Sequence, residues 1–152
     1  MNKTIIRAGV AGASGYSGSE LSALIARHPR MDLVFATSES EVGVRVPGTG
    51  LRFIPLAEAD PGAAEVVFTC LPHGESGRWA LWARQAGAVV IDLSADLRDS
   101  GSGAVYGLPE LWREEVRGAG LIANPGCYRW HRSWAAAWWT GPARSSSMRR
   151  RV

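Results

Sequence analysis

Three glycines spaced three apart, Gly12-Ala-Ser-Gly15-Tyr-Ser-Gly18, separate a short apolar run holding Ile5, Ile6, Val10 and Ala11 from a stretch with Tyr16, Leu21, Leu24 and Ile25 at helical intervals. A β-type run, a glycine turn and an amphipathic helix in that order leave few folds open. Glycines there permit the tight turn and let a pyrophosphate approach backbone N–H groups at the positive end of the helix. The spacing alone is weak evidence, and its weight comes from the strand-turn-helix context. Gly12, Ser14, Gly15, Tyr16, Ser17 and Gly18 are therefore candidate cofactor contacts.

The alternation continues down the chain. His28-Pro29 ends the first helix, because the residue before proline is pushed out of the α region, and a second strand is predicted over residues 33–37. Residues 66–70 read as a buried strand and 75–86 as a helix carrying Trp79 and Trp82, with Gly87 as its C-terminal stop. Strands are predicted again at 88–92 and 121–123, the last just ahead of Asn124-Pro125-Gly126-Cys127. Residues 43–62, rich in Gly and Pro, read as a loop with a weak edge strand near 51–54. Strands alternating with helices of this length imply an α/β fold with a doubly wound parallel sheet.

Composition narrows the function classes. A 46% hydrophobic share supports one real core, and no run approaches the roughly 18 apolar residues of a membrane span. The two cysteines make no disulfide framework, and the apolar start breaks at Arg7 before a signal-peptide core develops. A cytoplasmic, non-membrane protein without a metal site is the expectation. The basic balance is local: residues 129–152 hold six arginines and no acid, which leaves eleven basic against fourteen acidic residues in 1–128. A net acidic body gives no reason to expect nucleic acid as a partner.

Several single residues are candidates for chemistry. At the end of the second strand an acid would bind a ribose 2′-OH, whereas a hydroxyl or basic group would accept a 2′-phosphate. The chain has Thr37-Ser38-Glu39-Ser40, in which Ser38 and Ser40 suit a phosphate and an inward Glu39 would repel one, so these residues leave NADP and NAD both open. Cys127 follows a small strand and an Asn-Pro-Gly turn, so it is expected to open a helix whose dipole populates the thiolate. Cys70 ends an apolar strand and reads as a small buried hydrophobe. His73, in Leu71-Pro72-His73-Gly74, lies after a strand on the edge where α/β sheets bind ligands, and either a cofactor-side role or a plain surface role fits it. His131 is set aside as a catalytic partner because of the segment it lies in.

Taken together, Gly12-Ala-Ser-Gly-Tyr-Ser-Gly-Ser-Glu-Leu21, Leu71-Pro-His-Gly74, Asp92-Leu-Ser-Ala-Asp96, Tyr106-Gly-Leu-Pro-Glu-Leu111 and Asn124-Pro-Gly-Cys-Tyr128 resemble N-acetyl-gamma-glutamyl-phosphate reductase. The resemblance covers residues 1–128, less than half of such an enzyme. It implies a Rossmann-type domain binding NADP(H), normally followed by an α/β domain that supplies substrate contacts, the catalytic base and the contacts of a homo-oligomer. Cys127 matches the nucleophile, residues 12–18 the pyrophosphate loop, Ser38 the neighbourhood of the 2′-phosphate, and His73-Gly74 the cofactor side. The implied reaction is NADPH-dependent reduction of N-acetylglutamyl 5-phosphate to the semialdehyde, in arginine biosynthesis, through a cysteine thioacyl intermediate. Reductases of amino-adipyl and aspartyl phosphate share this chemistry, and a non-catalytic nucleotide-binding fragment is the alternative of a different class.

The resemblance stops after Tyr128. Where the family continues with Pro-Thr and a helix of small residues, residues 129–152 are rich in Trp, Arg, Ser and Ala and hold four of the seven tryptophans. Out-of-frame reading of a GC-rich gene yields such a composition, and DNA in which no frame restores Pro-Thr after codon 128 would refute that origin. The competing reading is an interfacial membrane or nucleic-acid arm, with Trp130, Trp134 and Trp138 on one helical face among arginines.

Overall fold

The computed structural model describes residues 4–126, so the expectations for Cys127, Tyr128, His131 and the rest of 129–152 lie outside the described residues. The elements run in the order β1 (Ile6–Ala11), α1 (Tyr16–Arg27), β2 (Met31–Ala36), β3 (Val66–Thr69), α2 (Ser76–Gln85), β4 (Val89–Asp92), β5 (Val105–Tyr106), α3 (Pro109–Arg117) and β6 (Leu121–Ala123), with two 3₁₀ turns at Leu56–Glu58 and Pro61–Ala63. The six strands form one sheet in the order β2-β1-β3-β4-β6-β5, and every pairing within it is parallel.

Side-chain alternation places the two cores on opposite faces of this sheet. From β3, Val66 and Phe68 pack with Ala8, Val10, Ile25 and Leu33, whereas Val67 packs with Ala80, Ala83, Val90 and Leu97. Helix α1 therefore covers one face through Ile25, and α2 covers the other through Ala80 and Ala83. This is the doubly wound arrangement. Val10, Val67 and Val90 are fully buried, and burying such a side chain stabilises by about 1.5–3 kcal/mol. Gly9 faces Phe35, whose ring occupies the space a side chain at position 9 would need. Helix α1 stops at His28 in extended conformation, ahead of Pro29, and Gly87 follows α2 with φ of +100°, as the sequence implies.

The structure departs from expectation at residues 43–54. No edge strand forms at 51–54; the segment folds back on itself as a hairpin-like arm. Gly43 N–H donates to the Phe53 carbonyl, Phe53 N–H to Val44, and Val46 N–H to Leu51, with the turn passing through Gly48 at φ +74°. Only isolated bridges result, Arg45 to Arg52 within the arm and Thr37 to Ile54 against the end of β2. The alternation of Gly and Pro with apolar residues interrupts longer pairing, while Val46 and Phe53 anchor the arm in the core beside β2. Strand β5 and helix α3 were not anticipated either. Helix α3 is amphipathic but short, fully buries none of its residues, and is interrupted by a non-helical backbone at Trp112 (φ −131°, ψ 45°), with Trp112 and Val116 half-buried.

Candidate cofactor site and nucleophile turn

The chain runs from β1 out to β2 and then returns to β3 on the other side of β1, so the strand order reverses between β1 and β3. In open α/β sheets the crevice at the carboxyl ends of the strands flanking such a reversal is where ligands bind. Both expected cofactor segments leave from that place, the glycine loop after β1 and residues 70–74 after β3.

Gly12 turns the chain at φ +80°, and a Cβ on it would fall 2.6 Å from the Cys70 carbonyl oxygen. A Cβ on Gly18 would overlap the Gly12 carbonyl, so the first turn of α1 can close over the loop only with glycine there. Gly15 differs from both. It is the N-cap of α1 at φ −69°, and a Cβ on it would meet only the Gly12 oxygen at 3.6 Å. No side chain caps α1, and its first turn carries no acid. The first N–H groups of a helix have no partner within it, so those of α1 face an open cradle beside Gly15. A pyrophosphate fits this donor set in charge and in space.

Thr37 and Ser38 hold the loop from the end of β2. Gly12 N–H donates to Thr37 Oγ1 (2.9 Å), and Ala13 N–H donates to the Thr37 carbonyl (2.7 Å). Ser38 is buried; its hydroxyl donates to Ser14 Oγ (2.7 Å) and accepts from Glu41 N–H (3.0 Å). Tyr16 and Ser17 are exposed at the start of α1. Glu39 does not point inward: its Oε1 accepts from Leu56 N–H (2.8 Å) at the start of the first 3₁₀ turn.

The N-terminus of α2 is closed by the protein itself. Its own N-cap, Glu75, makes no side-chain cap. Asp96, from the loop after β4, accepts from Gly74 N–H (2.9 Å) and Gly77 N–H (3.0 Å). Burial works to raise the Asp96 pKa, but the amides of Gly77 and Gly74, then His73, outweigh it and hold the carboxyl below its usual value. His73 Nδ1 accepts from Ala95 N–H (3.2 Å) and lies 3.7 Å from Asp96, with the rest of the ring exposed. Asp92 is fully buried and accepts from Thr69 Oγ1, Ser76 Oγ and Ser94 Oγ at 2.6–2.7 Å, which ties three segments together below the crevice.

Of the segment expected to end on a nucleophile, the described part is Asn124-Pro125-Gly126. Asn124 N–H donates to the Asp92 carbonyl (2.8 Å), so this turn leaves the same carboxyl edge of the sheet. Arg98 holds it from above, donating from Nε to the Asn124 carbonyl (2.9 Å) and from a terminal nitrogen to the Leu93 carbonyl (2.8 Å). Cys70 is a poor nucleophile, because burial first and Asp92 second push its thiol up to about 12. The reading of Cys70 as a buried hydrophobe holds in part: it is half-buried, packed against the core on the α1 face of the sheet.

A family model described as the NAD-binding domain of semialdehyde dehydrogenase matches residues 7–119. The chain belongs to this family. Within it, N-acetyl-gamma-glutamyl-phosphate reductase of Moorella thermoacetica is 40% identical, over 82% of this chain and 44% of that protein. The enzyme of the same name from Salinispora tropica is 45% identical, over 81% of this chain and 43% of its own length. The chain thus spans under half the length of these relatives. Among solved structures, aspartate semialdehyde dehydrogenase II of Vibrio cholerae superimposes with a TM-score of 0.68 at 28% identity, over 82% of this chain and 43% of that one.

As a semialdehyde dehydrogenase domain the chain binds a nicotinamide dinucleotide. Among the described residues no cluster of His, Cys, Asp and Glu could hold a metal, and no helix is long and apolar enough to cross a membrane. The residues that sequence reasoning missed are those that hold the loops: Thr37, Asp92, Asp96 and Arg98. Asp92 and Asp96 stood in a quoted motif without a role. An acid following a buried strand, opposite a helix start with no Ser, Thr, Asp or Asn at its cap position, is the signal that could have found Asp96.

Proposed function

We propose that residues 1–128 are the cofactor domain and nucleophile segment of an acyl-phosphate reductase of the N-acetylglutamyl type, with Cys127 as nucleophile and NADP(H) as cofactor. The observation that carries this reading is the common edge. The open cradle at Gly12–Gly18 and the turn at Asn124–Gly126 leave the same carboxyl side of one parallel sheet, which supports a cofactor and a nucleophile serving one crevice. In the biosynthetic direction the Cys127 thiolate attacks the acyl carbonyl of N-acetylglutamyl 5-phosphate, and the C–O bond to phosphate breaks, leaving a thioacyl group on the sulfur. A nicotinamide held beside the cradle would supply the hydride that reduces this thioacyl carbon, after which the C–S bond breaks, the semialdehyde leaves and the Cys127 thiolate is regenerated. His73 and Gly74 border the cofactor, and Ser14, Tyr16, Ser17 and Ser38 line its approach. The small-molecule acyl phosphate and the homo-oligomer that the resemblance implies belong to this proposal, as does a cytoplasmic setting. Support for NADP comes from Glu39, whose carboxylate is turned to Leu56 and so leaves the end of β2 without an inward acid.

Titration of the purified 152-residue chain with NADPH tests the cofactor half, and absence of binding would overturn it. A coupled assay with N-acetylglutamyl 5-phosphate tests the other. The 152 residues assayed alone are expected to bind cofactor without steady turnover. General acid–base help is worth roughly 10²–10⁴ in rate, and among the described residues His28 ends α1 and His73 is held by Ala95 and Asp96, so neither serves as base. Steady NADPH oxidation abolished by Cys127→Ser would refute that expectation.

A further inference from the structure

Every second residue of the segment that leaves β4 reaches sideways to another part of the carboxyl edge. Asp92 accepts on one oxygen from Thr69 Oγ1 and Ser76 Oγ, both at 2.6 Å, and on the other from Ser94 Oγ at 2.7 Å. Ser94 Oγ accepts in turn from Asp96 N–H (3.0 Å). Asp96 accepts from the amides of Gly74 and Gly77, and Ala95 N–H between the two donates to His73 Nδ1. Arg98 closes the series on the Asn124 carbonyl. A carboxylate can only accept, whereas a hydroxyl both donates and accepts. Asp92 therefore fixes the direction of the Ser94 hydroxyl: its proton goes to Asp92, which leaves the oxygen lone pairs for Asp96 N–H. Hydrogen bonds joined end to end in this way polarise and strengthen one another. Being fully buried, Asp92 can touch no ligand, and whatever it does at the crevice it does through these neighbours.

The glycine loop is fastened separately. Thr37 and Ser38 hold Gly12, Ala13 and Ser14 from the end of β2. Among the described residues no side-chain hydrogen bond joins that set to the one around Asp92. Folds of this kind take a dinucleotide across the strand-order reversal, one nucleotide to each side, with the pyrophosphate at the helix start between them. The ribose at the end of β2 belongs to the adenosine, so the nicotinamide half falls on the side of β3 and β4, which the Asp92 chain builds. We infer that Asp92 is a positioning residue for the nicotinamide half of the site alone: through Ser94 and Asp96 it sets the His73–Gly74 loop, while the adenosine half is set from β2. Burying a carboxylate is costly even when it is fully hydrogen-bonded, and the precision of this loop is what it gives in return. The inference rests on the reading of the crevice as a dinucleotide site.

The test titrates NADPH and 2′-phospho-ADP-ribose, the same molecule without its nicotinamide, into the 152-residue chain, Asp92→Asn, Ser94→Ala and the double variant. Asp92→Asn keeps an oxygen for Thr69 and Ser76 but turns an amide N–H toward Ser94, which reverses that bond. Ser94→Ala deletes the relay and leaves Asp92 in place. Each single substitution is expected to weaken NADPH by about tenfold and to reduce the change in NADPH emission on binding, which reports the surroundings of the nicotinamide ring. Affinity for 2′-phospho-ADP-ribose is expected to stay at the parent value. Because both substitutions break one relay, the double variant is expected to bind NADPH no more weakly than either alone. Parallel loss of both ligands, or single effects that add, would make Asp92 a plain stabiliser of the fold and overturn the inference. So would unchanged NADPH binding in Ser94→Ala, which decides the matter even if Asp92→Asn does not fold. Failure of the parent chain to bind either ligand would overturn the dinucleotide reading and this inference with it.

Discussion

At residue scale the three glycines of the loop have three separate jobs. Gly12 and Gly18 are fixed by the fold: one needs a positive φ and lies against Cys70, and the other lies against the Gly12 carbonyl. Gly15 is fixed by neither, since its φ of −69° suits any residue and its outward side is open. It occupies the N-cap of α1, where aspartate is among the preferred residues. Gly15→Asp is therefore expected to fold and to raise the melting temperature slightly, while its carboxylate meets the pyrophosphate and lowers dinucleotide affinity by about tenfold or more, as expected for two negative groups in contact at a helix terminus. Equal titration curves for the parent and Gly15→Asp would remove the loop from the cofactor site. A lower melting temperature would instead mean that the cap position is misassigned.

At the scale of elements, the two helix starts on the carboxyl edge are treated oppositely. Helix α1 is left uncapped, and α2 is capped by Asp96 from a neighbouring loop. Asp96→Ala is expected to cost about 1 kcal/mol, the usual value of a lost N-cap, and to loosen His73. Because the folded carboxyl titrates below its unfolded value near 4, the cap stabilises fully above that pH and loses its effect as pH falls through the lower folded value. Denaturation curves of parent and Asp96→Ala should thus differ at pH 7 and converge in strong acid; a constant difference across pH would show that Asp96 acts by packing instead. The elements legible in sequence were those with a strong local pattern. Strand β1, helix α1 and strands β3 and β4 announce themselves by apolar runs and helical spacing. Strand β5, with two residues, carries too little pattern to read, and α3, although amphipathic, is short and interrupted at Trp112. The glycine loop was legible because its chemistry is local in sequence. The Asp96 cap spans nineteen or more residues and leaves only the indirect signal of an uncapped helix start opposite an acid, while the hold of Arg98 on Asn124 spans twenty-six and is revealed by tertiary contact alone.

At the scale of the whole molecule, the order β4-β6-β5 means that the last described strand is an inner one. Strand β5 is bonded in the sheet only to β6, through Val105–Ile122 and Tyr106–Ala123. Chains are synthesised at about 5–20 residues per second and their early parts fold first. While the chain is being made, strands β1 to β4 can assemble as soon as Asp92 has left the exit tunnel, but Val105 and Tyr106 must wait for residues 121–123 before they have a place. In nascent chains arrested with residue 115 just outside the tunnel, the amides of β1 and β3 are expected to be protected from hydrogen exchange and those of β5 to exchange freely; protection of β5 at that length would contradict this order. The three residues Leu121, Ile122 and Ala123 thus decide when β5 finds its place, and a defect there would leave β1 to β4 folded with an unpaired β4 edge open to misassembly during synthesis.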